Sequence, residues 1–313
     1  MKITILDDYQ GVALTSADWT VLQADVVSLR DHIEGDALIK ALAESEVVVA
    51  MRERTRFPAE VLAQLPRLKL LVTTGARNAA IDLQACQRQG ITVCGTGSQP
   101  YAAAELTWAL ILAAVKQVPV SQEDLRAGRW QTVVPGDLAG KTLGVLGLGK
   151  LGARVARVAQ AFDMKVLAWS QNLTPEKAAE HGVTWVDKQA LFEQSDIVSV
   201  HLVLSDRSRG IVGAQEIDAM RRDAIFVNTS RAGLVDEAAL IEALHAGRIA
   251  AAALDVFAQE PLPADAPILS APRTVLTPHL GYVTTGTYAI YFRDAIDNIL
   301  AWRAGTPKRL LTT

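Results

Sequence analysis

Lys141-Thr-Leu-Gly-Val-Leu-Gly147-Leu-Gly149-Lys-Leu-Gly152 is the stretch that decides the fold. A short apolar run leads into G-x-G-x-x-G, and the spacing predicts a helix over 153–162 that begins on the last glycine. Each glycine has its own task. Gly147 permits the tight turn, Gly149 lets backbone approach a pyrophosphate, and Gly152 lets helix and strand pack closely. The N–H groups and dipole at the helix start suit the phosphates of a dinucleotide. A second strand follows at 165–169. Its end normally carries an acidic residue for the ribose of NAD. Here it carries Ser170, then Gln171 and Asn172. No carboxylate stands there to repel a 2′-phosphate, and no arginine follows at once to attract one. The sequence therefore leaves NAD or NADP open, with a lean toward tolerating NADP.

Working outward, short β-branched runs alternate with amphipathic stretches. The first strands are expected at 2–6, 25–29, 47–50, 69–73 and 91–94, with helices such as 36–43 and 58–65. The second set is expected at 142–146, 165–169, 184–186, 197–201, 225–228, 250–254 and 274–276. This rhythm predicts parallel βαβ units, an α/β fold with helices on both sheet faces. The turn-rich Gly95-Thr-Gly-Ser98-Gln-Pro100 reads as a domain crossover. A long apolar helix is expected next at 101–117, with Ser98 as cap, Pro100 in its first turn and Pro119 ending it. A last helix is expected at 284–302.

The chain has 313 residues, which fits two domains. Half the residues are hydrophobic and the formal net charge is −3. That gives no electrostatic case for nucleic acid or an anionic membrane as main partner. The opening MKITILDDYQ is not a signal peptide, because two aspartates interrupt it. Residues 102–115 are apolar but carry Glu105 and fall short of a membrane span. Cys86 and Cys94 match no metal or redox spacing. Two buried thiols, no metal centre and a reducing cytoplasm are expected.

Three further segments place polar residues where strands end. They are Phe226-Val-Asn228-Thr229-Ser230-Arg231-Ala-Gly233-Leu-Val-Asp236, Asp255-Val-Phe-Ala-Gln-Glu260-Pro261, and Pro278-His279-Leu-Gly281-Tyr282. Ligands of open α/β sheets bind at the carboxyl ends of strands, so Arg231, Glu260 and His279 are candidates for one crevice. In this order, after the glycine turn, the motifs resemble the D-2-hydroxyacid dehydrogenase family, and the resemblance covers nearly the whole chain. It implies a Rossmann-type doubly wound cofactor domain over 99–283. It also implies a discontinuous flavodoxin-like substrate domain, made of 1–98 and the C-terminal helix and tail, 284–313. A homodimer through the helix at 101–117 is implied as well.

Residue by residue, the resemblance implies catalytic Arg231, Glu260 and His279. Arginine offers a planar fork of donors to the carboxylate and carbonyl oxygen of a 2-oxo acid. Histidine gives a proton to the developing alkoxide as hydride arrives, and the glutamate stabilises the imidazolium. Implied cofactor contacts are Gly147, Gly149, Lys150, Leu151, Gly152, Ser170, His201, Leu202, Val203, Thr229, Ser230, Arg231, Asp255, His279, Gly281 and Tyr282. Asp255 is expected to hold the carboxamide. A glutamate rather than glutamine at 260 argues against formate dehydrogenases.

The substrate carboxylate is expected on the loop Gly75-Ala76-Arg77-Asn78-Ala79-Ala80-Ile81-Asp82, with Arg231 and His279. Arg77 stands where relatives have a second glycine, and Asn78 is the neighbour expected to add a hydrogen bond. Arg52 is a further candidate, whereas Arg54 and Arg56 read as a solvated basic face. No regulatory domain is expected after the C-terminal helix, which favours a short 2-oxo acid such as glyoxylate or hydroxypyruvate. A phosphoglycerate dehydrogenase-like enzyme is the alternative. An NADH-sensing corepressor is a remote one, disfavoured by the charge and the lack of a tail.

Overall fold

The computed structural model describes residues 1–312. It divides into two compact units, one of Met1–Gln99 with the chain from Val283 onward, the other Pro100–Tyr282. Each unit is built on a parallel sheet.

The first unit holds β1 (Lys2–Ile5), β2 (Asp25–Ser28), β3 (Val47–Ala50), β4 (Leu70–Thr73) and β5 (Thr92–Cys94), in the order β2-β1-β3-β4-β5. This is the flavodoxin-like order. β3 and β4, Val-Val-Val-Ala and Leu-Leu-Val-Thr, are buried along their whole length. Covering both faces of a parallel sheet demands such uniformly apolar strands. The helix Thr285–Arg303 completes this unit. Its buried Asp294 accepts the Gly97 N–H at 2.9 Å, and Asn298 donates to the Gly95 carbonyl at 2.8 Å. Leu311 N–H bonds to the Val93 carbonyl at 2.9 Å, so the C-terminal tail lies along β5.

The second unit holds β6 (Thr142–Leu146), β7 (Lys165–Trp169), β8 (Thr184–Trp185), β9 (Ile197–Val200), β10 (Ile225–Asn228), β11 (Ala251–Leu254) and β12 (Thr274–Leu276). Their order is β12-β11-β10-β9-β6-β7-β8. Beginning from β6, this is the doubly wound arrangement, with one added edge strand. The chain reverses its direction of travel between β6 and β9, which makes that gap the switch point. Two apolar cores cover the sheet, one centred on Phe192, Phe226 and Leu244, the other on Trp108, Ile111 and Val155. Four shorter helices join the strands, and Thr174, Asp187 and Asp236 cap three of them with side-chain oxygens.

Several boundaries differ from the sequence reading. The helix after the glycine turn starts at Lys150, with Gly149 as its N-cap, so Gly152 lies inside the first turn. A Cβ on Gly152 would sit 2.0 Å from the Gly147 carbonyl oxygen, which is why only glycine fits there. The long apolar helix is Ala102–Val115, and Ser98 does not cap it. The bonds at Gly95 and Gly97 hold the preceding chain in the first unit, so Pro100 falls outside the helix. Pro119 does not end that helix either. The chain breaks at Gln117, whose φ is +50°, and Pro119 occupies the first turn of a new helix, Val118–Arg126. A first turn needs no amide donor, so proline is at home there. No single helix among the described residues is long and apolar enough to cross a membrane. This bent pair passes by length and composition only, across a 58° break. Cys86 and Cys94 are buried, and burial pushes both thiols up to about 11.

Candidate active site

The glycine turn lies at the carboxyl end of β6, at the switch point. Gly147 adopts φ +110°, and a Cβ there would come within 2.9 Å of the His201 and Leu202 backbone beyond β9. The turn and the β9 loop are therefore in backbone contact, as only glycine allows. Gly149 is the reverse case. A Cβ there would meet nothing within 4 Å, so bare backbone faces open space. No side chain caps the helix that follows, which leaves the first-turn N–H groups near Lys150, Leu151 and Gly152 for an anion. This cradle fits the pyrophosphate of a dinucleotide.

His201 closes the switch point from the other side. Its Nε2 lies 2.8 Å from the Ser199 hydroxyl, and burial pushes the imidazole down to about 4. It is neutral at working pH. Leu202 is partly buried, whereas Val203 is 81% exposed at the mouth of the turn. Ser170 is partly buried just past β7.

Arg231 comes from a turn fixed by Asn228, which ends β10 and is almost fully buried. The Asn228 amide donates to the Arg231 carbonyl at 3.0 Å and accepts the Ser230 N–H at 3.0 Å. One side chain thus closes both ends of the turn that aims Arg231. The Ser230 hydroxyl donates to the Val200 carbonyl at 2.8 Å. The Thr229 hydroxyl lies 2.7 Å from that of Thr107, which itself donates to the Ala103 carbonyl. Thr107 gave no signal in the sequence. It sits in an apolar helix, far along the chain from Thr229.

His279 comes from the loop after β12 and adopts φ +53°. The fully buried carboxylate of Asp255, at the end of β11, organises that loop. Oδ1 accepts the Thr277 hydroxyl at 2.6 Å and the Leu280 N–H at 2.7 Å, and Oδ2 accepts the Gly281 N–H at 2.9 Å. Burial pushes the Asp255 pKa up, and these three donors and nearby His279 oppose it. An ionised carboxylate has about four acceptor positions, so Oδ2 keeps capacity for one more donor. The loop aims His279 Nδ1 at Glu260 Oε2, 2.6 Å away. Glu260 is itself anchored, for its Oε1 accepts the Phe257 N–H at 3.0 Å. Tyr282 packs edge-on against the imidazole, with ring centres 5.5 Å apart. With Nδ1 committed to the carboxylate, Nε2 is the nitrogen left to serve a substrate. A histidine held this way has the geometry for proton transfer through Nε2.

The first unit carries the other candidates. Arg52, at φ +52°, follows β3, and its guanidinium fills the space over Gly75, where a Cβ would lie 1.8 Å from Nη1. Ala76 and Arg77 are exposed. Asn78 departs from expectation. Its amide donates inward, to the Arg52 carbonyl at 2.5 Å and the Thr73 hydroxyl at 2.8 Å, so it braces the loop instead of reaching outward. Arg54 is no solvated face. It stacks on the Tyr9 ring at 5.1 Å, whereas Arg56 is exposed.

Comparison with known proteins agrees with this geometry. The NAD binding domain of D-isomer specific 2-hydroxyacid dehydrogenases matches residues 108–281. The glyoxylate reductase of Aeropyrum pernix is 38% identical over 80% of this chain and 78% of its own length. The D-3-phosphoglycerate dehydrogenase of Archaeoglobus fulgidus is 36% identical over 90% of this chain, which spans only 54% of that protein. A phosphoglycerate oxidoreductase from Vibrio cholerae superposes with a TM-score of 0.93 at 42% identity, covering 97% of this chain and 99% of that one.

Proposed function

The chain belongs to the D-2-hydroxyacid dehydrogenase family and is an NAD(P)-dependent oxidoreductase; from that premise we propose that it reduces a small 2-oxo acid, of the glyoxylate or hydroxypyruvate kind, to the D-2-hydroxy acid. The observation that carries this reading is the His279–Glu260 pair at 2.6 Å on a loop braced by Asp255. It supplies the one proton that reduction of a carbonyl requires.

In this reading the bound dinucleotide supplies a hydride, and the chain's own residues do the rest. Arg231 holds the substrate carboxylate and carbonyl oxygen and favours negative charge on that oxygen. His279 Nε2 delivers a proton to the forming alkoxide, and Glu260 steadies the imidazolium left at Nδ1. Asp255 keeps the histidine loop in place and offers its remaining acceptor position to a carboxamide. Gly147, Gly149, Lys150, Leu151 and Gly152 take the pyrophosphate, and Ser170 the ribose. His201, Leu202, Val203, Thr229, Ser230, Gly281 and Tyr282 line the rest. On the substrate side we assign Arg52, Gly75, Ala76 and Arg77. We assign the unit of residues 100–282 to cofactor binding and the remainder to substrate.

We further propose a cytoplasmic homodimer. The helix Ala102–Val115 buries most of its apolar side chains within its own unit. The exposed apolar surface lies just beyond it, with Trp130 at 76% and Val134 at 92% exposure. The partner contact therefore extends from that helix across 118–134.

Turnover with a panel of 2-oxo acids tests the substrate assignment. Glyoxylate and hydroxypyruvate should be reduced well, and Arg77→Ala should raise their KM at least ~10-fold with the cofactor KM unchanged. Exclusive use of phosphorylated acids would instead assign the chain to the phosphoglycerate-dehydrogenase kind.

A further inference from the structure

The ribose end of the glycine turn has a cation nearby that the linear sequence hides. No Asp or Glu occurs between Lys165 and Pro175, so the β7 end offers only Ser170, Gln171 and Asn172. The Gln171 side-chain amide donates to the backbone carbonyl of Arg207 at 2.9 Å. Arg207 lies on the loop after β9. In the sheet, β9 and β7 flank β6. That single bond therefore joins the two loops bordering the glycine turn and brings Arg207 to the ribose side.

The β9 loop is held by bonds of its own. Buried Ser208 donates to the Val203 carbonyl at 2.7 Å and accepts the Ser205 N–H at 2.8 Å. The Arg207 side chain is exposed. Arg209, two residues on, turns elsewhere, since its Nη1 lies 3.4 Å from where a Gly233 Cβ would sit. Asp206 is the one carboxylate on residues 201–210.

We propose that Arg207, with Ser170 and Asn172, forms a subsite for the 2′-phosphate of NADP, and that the enzyme prefers NADPH. The inference rests on the dinucleotide reading of the glycine turn. A guanidinium suits a phosphate through paired, charge-assisted hydrogen bonds, and the Ser170 hydroxyl and Asn172 amide add neutral donors. Gln171 is a positioning residue, holding the Arg207 backbone while its own side chain stays out of the phosphate contact.

Calorimetric titration of the full chain with NADP⁺ and with NAD⁺ tests this without any turnover. Wild type should bind NADP⁺ at least ~10-fold more tightly. Arg207→Ala should loosen NADP⁺ by ~10-fold or more and leave NAD⁺ within about twofold, whereas Arg207→Lys should retain much of the preference. Gln171→Ala should weaken NADP⁺ alone, by a smaller factor. Asp206→Asn should tighten NADP⁺ and leave NAD⁺ unchanged, because it removes a like charge from the phosphate's surroundings. Tighter binding of NAD⁺ by wild type would overturn the proposal. So would equal losses for both nucleotides in Arg207→Ala, which would make Arg207 structural. Binding of neither nucleotide by wild type would instead sink the dinucleotide reading and take this subsite with it.

Discussion

Arg231 and His279 sit on loops braced in different ways. The Arg231 turn is closed locally, by Asn228 three residues before it on the same strand end. The His279 loop is held across the sheet, by Asp255 at the end of the neighbouring strand, 25 residues from Leu280. One brace is a neutral amide with two bonds, the other a buried carboxylate with three. A charged acceptor with several donors makes stronger bonds but is costly to leave unmatched. His279 therefore depends on a long-range electrostatic contact, whereas Arg231 depends on a short-range turn.

The difference gives a ranked set of expectations. Asp255→Ala should have the largest effect. It leaves the Thr277 hydroxyl and two loop N–H groups without their acceptor, about 3–5 kcal/mol of unfolding free energy in denaturant titration. A loss below about 1 kcal/mol would mean the loop is held by something else. His279→Gln should cut the reduction rate at least ~10²-fold with cofactor affinity nearly unchanged, the usual scale of general acid–base catalysis. Normal turnover would remove His279 from the mechanism. Asn228→Ala should be milder, about 1–2 kcal/mol in stability, with a rise in 2-oxo acid KM that exceeds any change in cofactor binding. An unchanged KM would show that Arg231 needs no such brace.

His201 gives an effect of a different kind, confined to acid pH and absent at neutral pH. Its folded pKa of about 4 lies below the ordinary histidine value, so the unfolded chain binds more protons between about 6.5 and 4. The native state should lose stability as pH falls through that window. His201→Gln should flatten this part of the profile in thermal melts, and an identical slope would assign the loss to other groups.

The same contrast explains what the sequence made legible. The strands around the glycine turn were readable because each residue type there answers to its immediate neighbours. β6, β7, β10 and β12 fall at the expected residues. Asn228, Arg231, Glu260 and His279 are legible as polar residues following apolar strands. The contacts that cross the sheet were not. Nothing in the spacing pairs Thr107 with Thr229, Asp255 with Gly281 or Gln171 with Arg207. No cation stands just after Ser170 in the chain, and the candidate, Arg207, comes from a loop two strands away. At the junction the crossover falls where it is expected, between Gln99 and Pro100, but the cap does not. Local rules favour Ser98 as cap and Pro100 in the first turn, and bonds from Asp294 and Asn298 hold the chain before Pro100 elsewhere.

The most direct test is isotopic. Reduction of hydroxypyruvate with nicotinamide cofactor carrying deuterium at both C4 positions of the reduced ring should yield glycerate of the D configuration with one deuterium on C2. Deuterium at C2 follows from direct hydride transfer to the carbonyl carbon beside the carboxylate, with the hydroxyl proton drawn from His279. Unlabelled glycerate, or no glycerate at all from any 2-oxo acid offered, would contradict the assignment.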